Sequence, residues 1–138
     1  RGVDGLTANR RAFCQLLWSL WSPSWAAGPS LYGQSAPSFD NPDFVDVVIH
    51  SYRHRFMYAP GDPALASIEQ ALALQPTITV PTISLCGADD GVGPPPLEDD
   101  DAQHFSGVYR RQVLPGVGHN IPQEAPQATL AALLELLA

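Results

Sequence analysis

The sequence predicts an α/β fold in which helices come first and a short parallel sheet second. Helical apolar spacing recurs in three stretches between residues 4 and 74, strand-like runs stand at Thr82–Cys86 and Tyr109–Leu114, and a helical pattern follows each. A strand, helix, strand, helix alternation is how a parallel sheet is built, because parallel neighbours need a crossover between them. The character changes at Gln75-Pro76, which divides the chain into a helical segment, 1–74, and an α/β segment, 75–138.

The first helix is expected from Asp4 to Trp21, with Leu6, Phe13, Leu16, Leu17 and Leu20 on its apolar side and Asn9, Arg10 and Arg11 opposite. Three tryptophans, Trp18, Trp21 and Trp25, crowd its end. The Pro-, Gly- and Ser-rich stretch from Ser22 to Asp40 reads as an irregular connection of the kind found in lids and binding surfaces. A second helix should open at Asn41 as N-cap, with Pro42 presetting φ, and run to about Met57. Val45, Val48, Ile49, Tyr52 and Phe56 share its stripe. After a turn at Ala59-Pro60-Gly61-Asp62, a third helix from Pro63 to Leu74 should bury Leu65, Ile68 and Leu72.

Pro81 lacks an amide hydrogen, so the first strand is expected at Thr82–Cys86, buried on both faces. A turn-rich stretch, Gly87–Pro96, leads to a short polar helix around Leu97–Phe105, and the second strand follows at Tyr109–Leu114. The turn Pro115-Gly116-Val117-Gly118 then leads to a final helix, Gln123–Ala138, with Leu130, Leu133, Leu134 and Leu137 as its apolar stripe.

Composition bounds the function. The 138 residues are 45% hydrophobic and 15% charged, with 11 Gly and 14 Pro, which is ordinary globular material of single-domain size. The formal charge of −7, with Glu98-Asp99-Asp100-Asp101 in one block and all seven basic residues Arg, argues against nucleic acid and anionic membrane as partners. No apolar run reaches the roughly 18 residues of a membrane span, and no signal-peptide stretch is present, so a soluble, cytoplasmic protein is expected. Cys14 and Cys86 read as buried reduced thiols.

Two polar residues stand just after the two strands, where open α/β sheets bind ligands. One is an aspartate in Gly87-Ala88-Asp89-Asp90-Gly91; the other is the histidine in Gly116-Val117-Gly118-His119-Asn120. Each alone is an ordinary turn residue. Together they give an acid after one strand and a His after the next, the chain order of an Asp-His pair in hydrolases with a nucleophile elbow. His50 and His54 are spaced i, i+4 with Asp46 one turn earlier, but Ser51 stands where a zincin has Glu and Arg53 and Arg55 flank the histidines, so no metal site is expected.

The segment Val80-Pro81-Thr82-Ile83-Ser84-Leu85-Cys86-Gly87-Ala88-Asp89-Asp90-Gly91-Val92 resembles the penultimate strand and acid loop of α/β hydrolases. Leu114-Pro115-Gly116-Val117-Gly118-His119-Asn120-Ile121-Pro122-Gln123-Glu124-Ala125-Pro126 resembles their histidine loop and the start of their last helix, and Tyr52-Arg53 is similar to a pair in the cap of soluble epoxide hydrolases. The resemblance implies a partial α/β-hydrolase fold: a helical cap segment, 1–74, followed by the last two parallel strands with their helices, 75–138. It makes His119 the general base and Asp90, with Asp89 as the alternative, the acid that orients it. Tyr52 becomes the hydroxyl that assists the leaving oxygen, or else a tyrosine packed on a helical stripe. No cofactor is implied, and the substrate would be a small molecule.

The sequence also departs from the family pattern. Asn120 follows His119 where an aromatic is common, Ser51 precedes Tyr52 where Trp is usual, and only one tyrosine of the usual pair has motif support. The nucleophile elbow is missing, since Gly33-Gln34-Ser35-Ala36-Pro37 lacks the second Gly and the strand-turn-helix context. A C-terminal portion that is inactive alone is therefore expected, its nucleophile lying upstream. The same acid and base would serve a serine esterase or a haloalkane dehalogenase. A non-catalytic interaction module that lost the nucleophile half is the other reading. Either way a two-stranded sheet should self-associate or bind a complementing N-terminal half.

Overall fold

A computed structural model describes residues 2–138. The elements in order are α1 (Gly2–Trp21), α2 (Gly28–Ser35), α3 (Phe44–Arg55), α4 (Ala66–Ala73), β1 (Thr82–Gly87), β2 (Tyr109–Leu114), α5 (Ile121–Glu124) and α6 (Pro126–Leu137). Short 3-10 turns at Ala36–Asp40, Pro63–Leu65 and Asp100–His104 join some of them. The fold is thus mixed helix and sheet with two parallel strands, paired in register from Thr82 opposite Tyr109 to Gly87 opposite Leu114. The chain divides into two compact units, residues 1–17 with 29–74, and residues 18–28 with 75–138.

In the first unit Leu6, Tyr32, Ala36 and Val45 are buried. Helix α1 breaks its regular geometry at Asn9, whose φ is −127°. The polar side of α1 is more than a solvated face: Arg10 donates to the carbonyls of Phe39 (2.8 Å) and Asn41 (3.1 Å), and Arg11 pairs with Asp40.

Three expectations for this part of the chain are corrected. Ser22–Asp40 is not irregular throughout, because α2 and a 3-10 turn occupy Gly28–Asp40. Burial of Tyr32 and donation from its hydroxyl to the Arg11 carbonyl supply tertiary support that composition did not announce. Asn41 is not the N-cap of α3; its side chain accepts from the Asp43 amide (2.9 Å) in a turn ahead of the helix, and Asp43 holds the cap position. The third helix begins as a 3-10 turn capped by Asp62, which accepts from the Ala64 amide (2.9 Å). The residues expected beneath it, Leu65, Ile68 and Leu72, are exposed.

In the second unit Leu114, Val117 and Ala132 form the buried apolar set, with Ser22 the buried polar residue. Strand β1 ends one residue beyond the expected point. It is half-buried along most of its length, not covered on both faces, and β2 is its one strand neighbour among the described residues. The polar helix expected at Leu97–Phe105 is a 3-10 turn, since three prolines precede it and four successive acids leave it no apolar stripe to bury. The last helix is two, α5 and α6, divided at Ala125 ahead of Pro126. Leu130, Leu133, Leu134 and Leu137 are exposed, and Ala132 is the buried residue of α6. Cys14 and Cys86 are free thiols, half-buried instead of buried. No described helix is long and apolar enough to cross a membrane.

Candidate active site

The in-register pairing ends both strands at the same level, Gly87 opposite Leu114, so the loops that follow emerge side by side. Backbone hydrogen bonds lace them together: the Ala88 amide donates to the Leu114 carbonyl and the Asp89 amide to that of Val117, both at 2.9 Å. Asp90 and His119 meet there, with His119 Nδ1 2.9 Å from Asp90 Oδ2. Asp90 Oδ1 accepts from the amides of Val92 (2.8 Å) and Gly93 (3.3 Å), which fixes the carboxylate independently of the imidazole. Asp89, the alternative acid, is exposed, and its amide is committed to the second loop. The carboxylate that faces His119 is that of Asp90.

Partial burial works against ionising Asp90. Hydrogen bonds from His119 and from the two amides, together with the attraction of the imidazole, outweigh it and hold the carboxyl below its ordinary value. An ionised carboxylate can only accept, so Nδ1 of His119 is the donor in this contact, and in the neutral imidazole Nε2 is the nitrogen left with a lone pair. The side chains are 40% exposed for His119 and 16% for Asp90, which leaves the imidazole open to water while its partner is sheltered. The pair can therefore take a proton from water at Nε2 and stabilise the imidazolium that results.

Three residues that sequence reasoning did not single out complete this site. The Trp21 ring meets the imidazole edge-on at a centroid distance of 5.2 Å. Ser22 Oγ donates to Glu124 Oε1 (2.7 Å) and accepts from the His119 amide (3.2 Å). Glu124 accepts from the amides of Gly118 (2.7 Å) and Asn120 (2.8 Å). A carboxylate in the first turn of a helix, reaching back to the residue before it, is a capping signal that could have drawn attention to Glu124. Nothing in local sequence points to Trp21 or Ser22, which lie about a hundred residues from their partners.

Tyr52 lies in the first unit, on the next-to-last turn of α3, 46% exposed and stacked on Phe56 with centroids 6.5 Å apart. Its neighbour Arg53 donates to the Tyr58 carbonyl at 3.4 Å. On the same helix, His54 Nε2 lies 3.1 Å from Glu69 Oε1, an ion-pair geometry when the imidazole is protonated, and the His50 ring is stacked on it at 6.2 Å.

Over 61 residues, 44% of its length, the chain is 41% identical to epoxide hydrolase A of Mycobacterium tuberculosis, of which the match covers 19%. Its fold matches the crystal structure of a protein from Klebsiella pneumoniae subsp. pneumoniae, provisionally described as an epoxide hydrolase. The TM-score is 0.91 at 39% identity, over 99% of this chain and 45% of that one. The chain resembles part of an epoxide hydrolase. It spans under half the length of the solved epoxide-hydrolase structure and a smaller share of the curated one. No protein-family model matches it.

Proposed function

We propose that this chain carries the acid and base of an epoxide-hydrolase-like reaction within a partial α/β-hydrolase fold, with a helical cap segment at 1–74 and the C-terminal part of the core at 75–138. The observation that carries the reading is the 2.9 Å approach of His119 Nδ1 to Asp90 Oδ2 at the carboxyl ends of two parallel strands. The names of the two similar proteins favour an epoxide over an ester or an alkyl halide as the substrate.

The attacking carboxylate would come from the part of the family fold outside these residues. Its oxygen bonds to an epoxide carbon, the ring C–O bond breaks, and the Tyr52 hydroxyl supplies the proton that the new alkoxide takes. A phenol suits this because it stays protonated at neutral pH. His119 Nε2 then takes a proton from water as that water attacks the ester carbonyl. The acyl C–O bond breaks, the leaving oxygen takes that proton back from the imidazolium, and the proton of the newly formed carboxylic acid returns to the Tyr52 phenolate, so that the diol leaves with carboxylate, imidazole and phenol restored. Alone, the chain is expected to give no turnover.

Exposed apolar side chains along α6, including Leu133 (53%) and Leu137 (75%), support a chain completed by the remaining half of the fold. A monodisperse monomer by light scattering, melting cooperatively without that half, would count against this. Free thiols at Cys14 and Cys86 suit the reducing cytoplasm, the compartment proposed for it.

The test is complementation with an N-terminal half bearing the nucleophile, followed by an epoxide-opening assay. Turnover is expected. With His119→Gln the nucleophile half should gain the mass of one substrate while multiple turnover falls by about 10²-fold or more. Unchanged multiple turnover in His119→Gln overturns the mechanism, and ester cleavage without epoxide opening overturns the substrate class.

A further inference from the structure

The segment Trp21-Ser22 touches both loops of the candidate site. One oxygen, the Trp21 carbonyl, accepts from the Gly91 amide in the acid loop and from the His119 amide in the histidine loop, each at 3.1 Å. The approach is close on both sides. A Cβ on Gly118 would come within 2.6 Å of Ser22 Cα, and one on Gly91 would run into the Leu20 carbonyl, so both loops need glycine where they meet this segment.

Ser22 is 5% exposed, and its hydroxyl is fully used. It donates to Glu124 Oε1 and accepts from the His119 amide and from Asn120 Nδ2 (3.0 Å), which is the whole capacity of a hydroxyl. Glu124 gathers three donors, namely the Ser22 hydroxyl and the amides of Gly118 and Asn120, which flank His119 on either side. The backbone of the histidine is therefore held before its side chain makes any contact.

We propose that Ser22 and Glu124 are positioning residues for His119: through the backbone of Gly118-His119-Asn120 they hold the imidazole at hydrogen-bonding distance from Asp90 and so keep its proton on Nδ1. Their importance for catalysis rests on the function proposed above; the tautomer they enforce does not. Glutamine at 124 would keep the shape but turn an amide nitrogen toward a donor at one of its two positions. Ser22→Ala would remove one of the two acceptors of the His119 amide, leaving it the Trp21 carbonyl, and would remove a donor to Glu124.

The experiment is a long-range proton–nitrogen NMR correlation on the full chain with ¹⁵N-labelled histidine, at a pH where the imidazoles are neutral. In the unaltered chain His119 should show the Nδ1–H tautomer. Ser22→Ala and Glu124→Gln should each lose that signature as its dominant form, while Ala132→Gly, which loosens the same unit at the buried position of α6, should retain it. If Glu124→Gln does not fold, Ser22→Ala decides. Retention of the Nδ1–H form in the folded variants overturns the proposal, as does its equal loss in Ala132→Gly. No substrate or nucleophile enters the measurement, so a failed epoxide assay with an intact tautomer response would overturn the proposed function and leave the positioning role standing.

Discussion

The two units are held together by different means. In the unit of β1 and β2, the loops that bear Asp90 and His119 are cross-linked by backbone amides, by a buried serine hydroxyl and by a carboxylate with three donors. In the helical unit the ties between elements are mostly exposed side chains, with arginines reaching carbonyls and an aspartate and His54 facing Glu69, beside one buried tyrosine hydroxyl on the Arg11 carbonyl, and large apolar residues such as Ile68, Leu72 and Leu74 lie open to solvent. Hydrogen bonds to sheltered backbone groups tolerate little displacement, because a donor left unpaired costs about 1–3 kcal/mol. Exposed apolar surface tolerates nearly any change that keeps the helix. The loop region therefore constrains single atoms, while the helical unit constrains little beyond a few buried contacts.

The sharpest way to break this contrast is to truncate a leucine in each unit. Leu114→Ala, at the buried end of β2, should cost about 2–5 kcal/mol of stability, whereas Leu72→Ala on α4 should stay within about 0.5 kcal/mol. Amide hydrogen exchange resolved by unit would register both.

Adding a methyl group should give effects of opposite sign. Gly118→Ala forces a contact with Ser22 and should destabilise the second unit by about 1–3 kcal/mol. Gly5→Ala meets nothing within 4 Å on α1 and should stabilise the first unit by about 0.5–1 kcal/mol, the helix preference for Ala over Gly. Denaturant midpoints of the two variants, shifting in opposite directions, would check this.

The smallest effect is in acid. Asp90 lies below its ordinary value, so the native state favours its ionised form. That stabilisation is complete above the unfolded value near ~3.9 and is lost as pH falls through the depressed one. Asp90→Asn should therefore flatten the stability of the second unit below about pH 4. Asp40 is also lowered, chiefly by the hydrogen bond from Arg11, but both side chains are more than half exposed, so Asp40→Asn should leave the acid limb of the first unit nearly unchanged. Thermal midpoints measured across the acid range distinguish the two cases.

How far the sequence could be read follows the same division. Strand β2 was legible because Pro115-Gly116 ends it sharply, and the acid-then-histidine order was legible because each residue stands directly after a strand. Helix α2 was not, since Gly28, Pro29 and Gly33 signal a loop and only the buried Tyr32 reveals what supports it. The leucines of α6 followed a helical period faithfully, yet periodicity says only that a face is apolar, not that anything covers it.

The sequence by itself determined the two strands, the helical character of most of the remaining segments and the two residue types at the strand ends, because hydrophobic period, proline and glycine act over a few neighbouring residues. Only the tertiary structure decided that Asp90 and not Asp89 faces His119, and that Trp21, Ser22 and Glu124 fasten the loop behind it. Those choices depend on atoms brought to hydrogen-bonding distance across a separation of up to 102 residues, and a one-dimensional pattern holds no record of which amide will meet which oxygen.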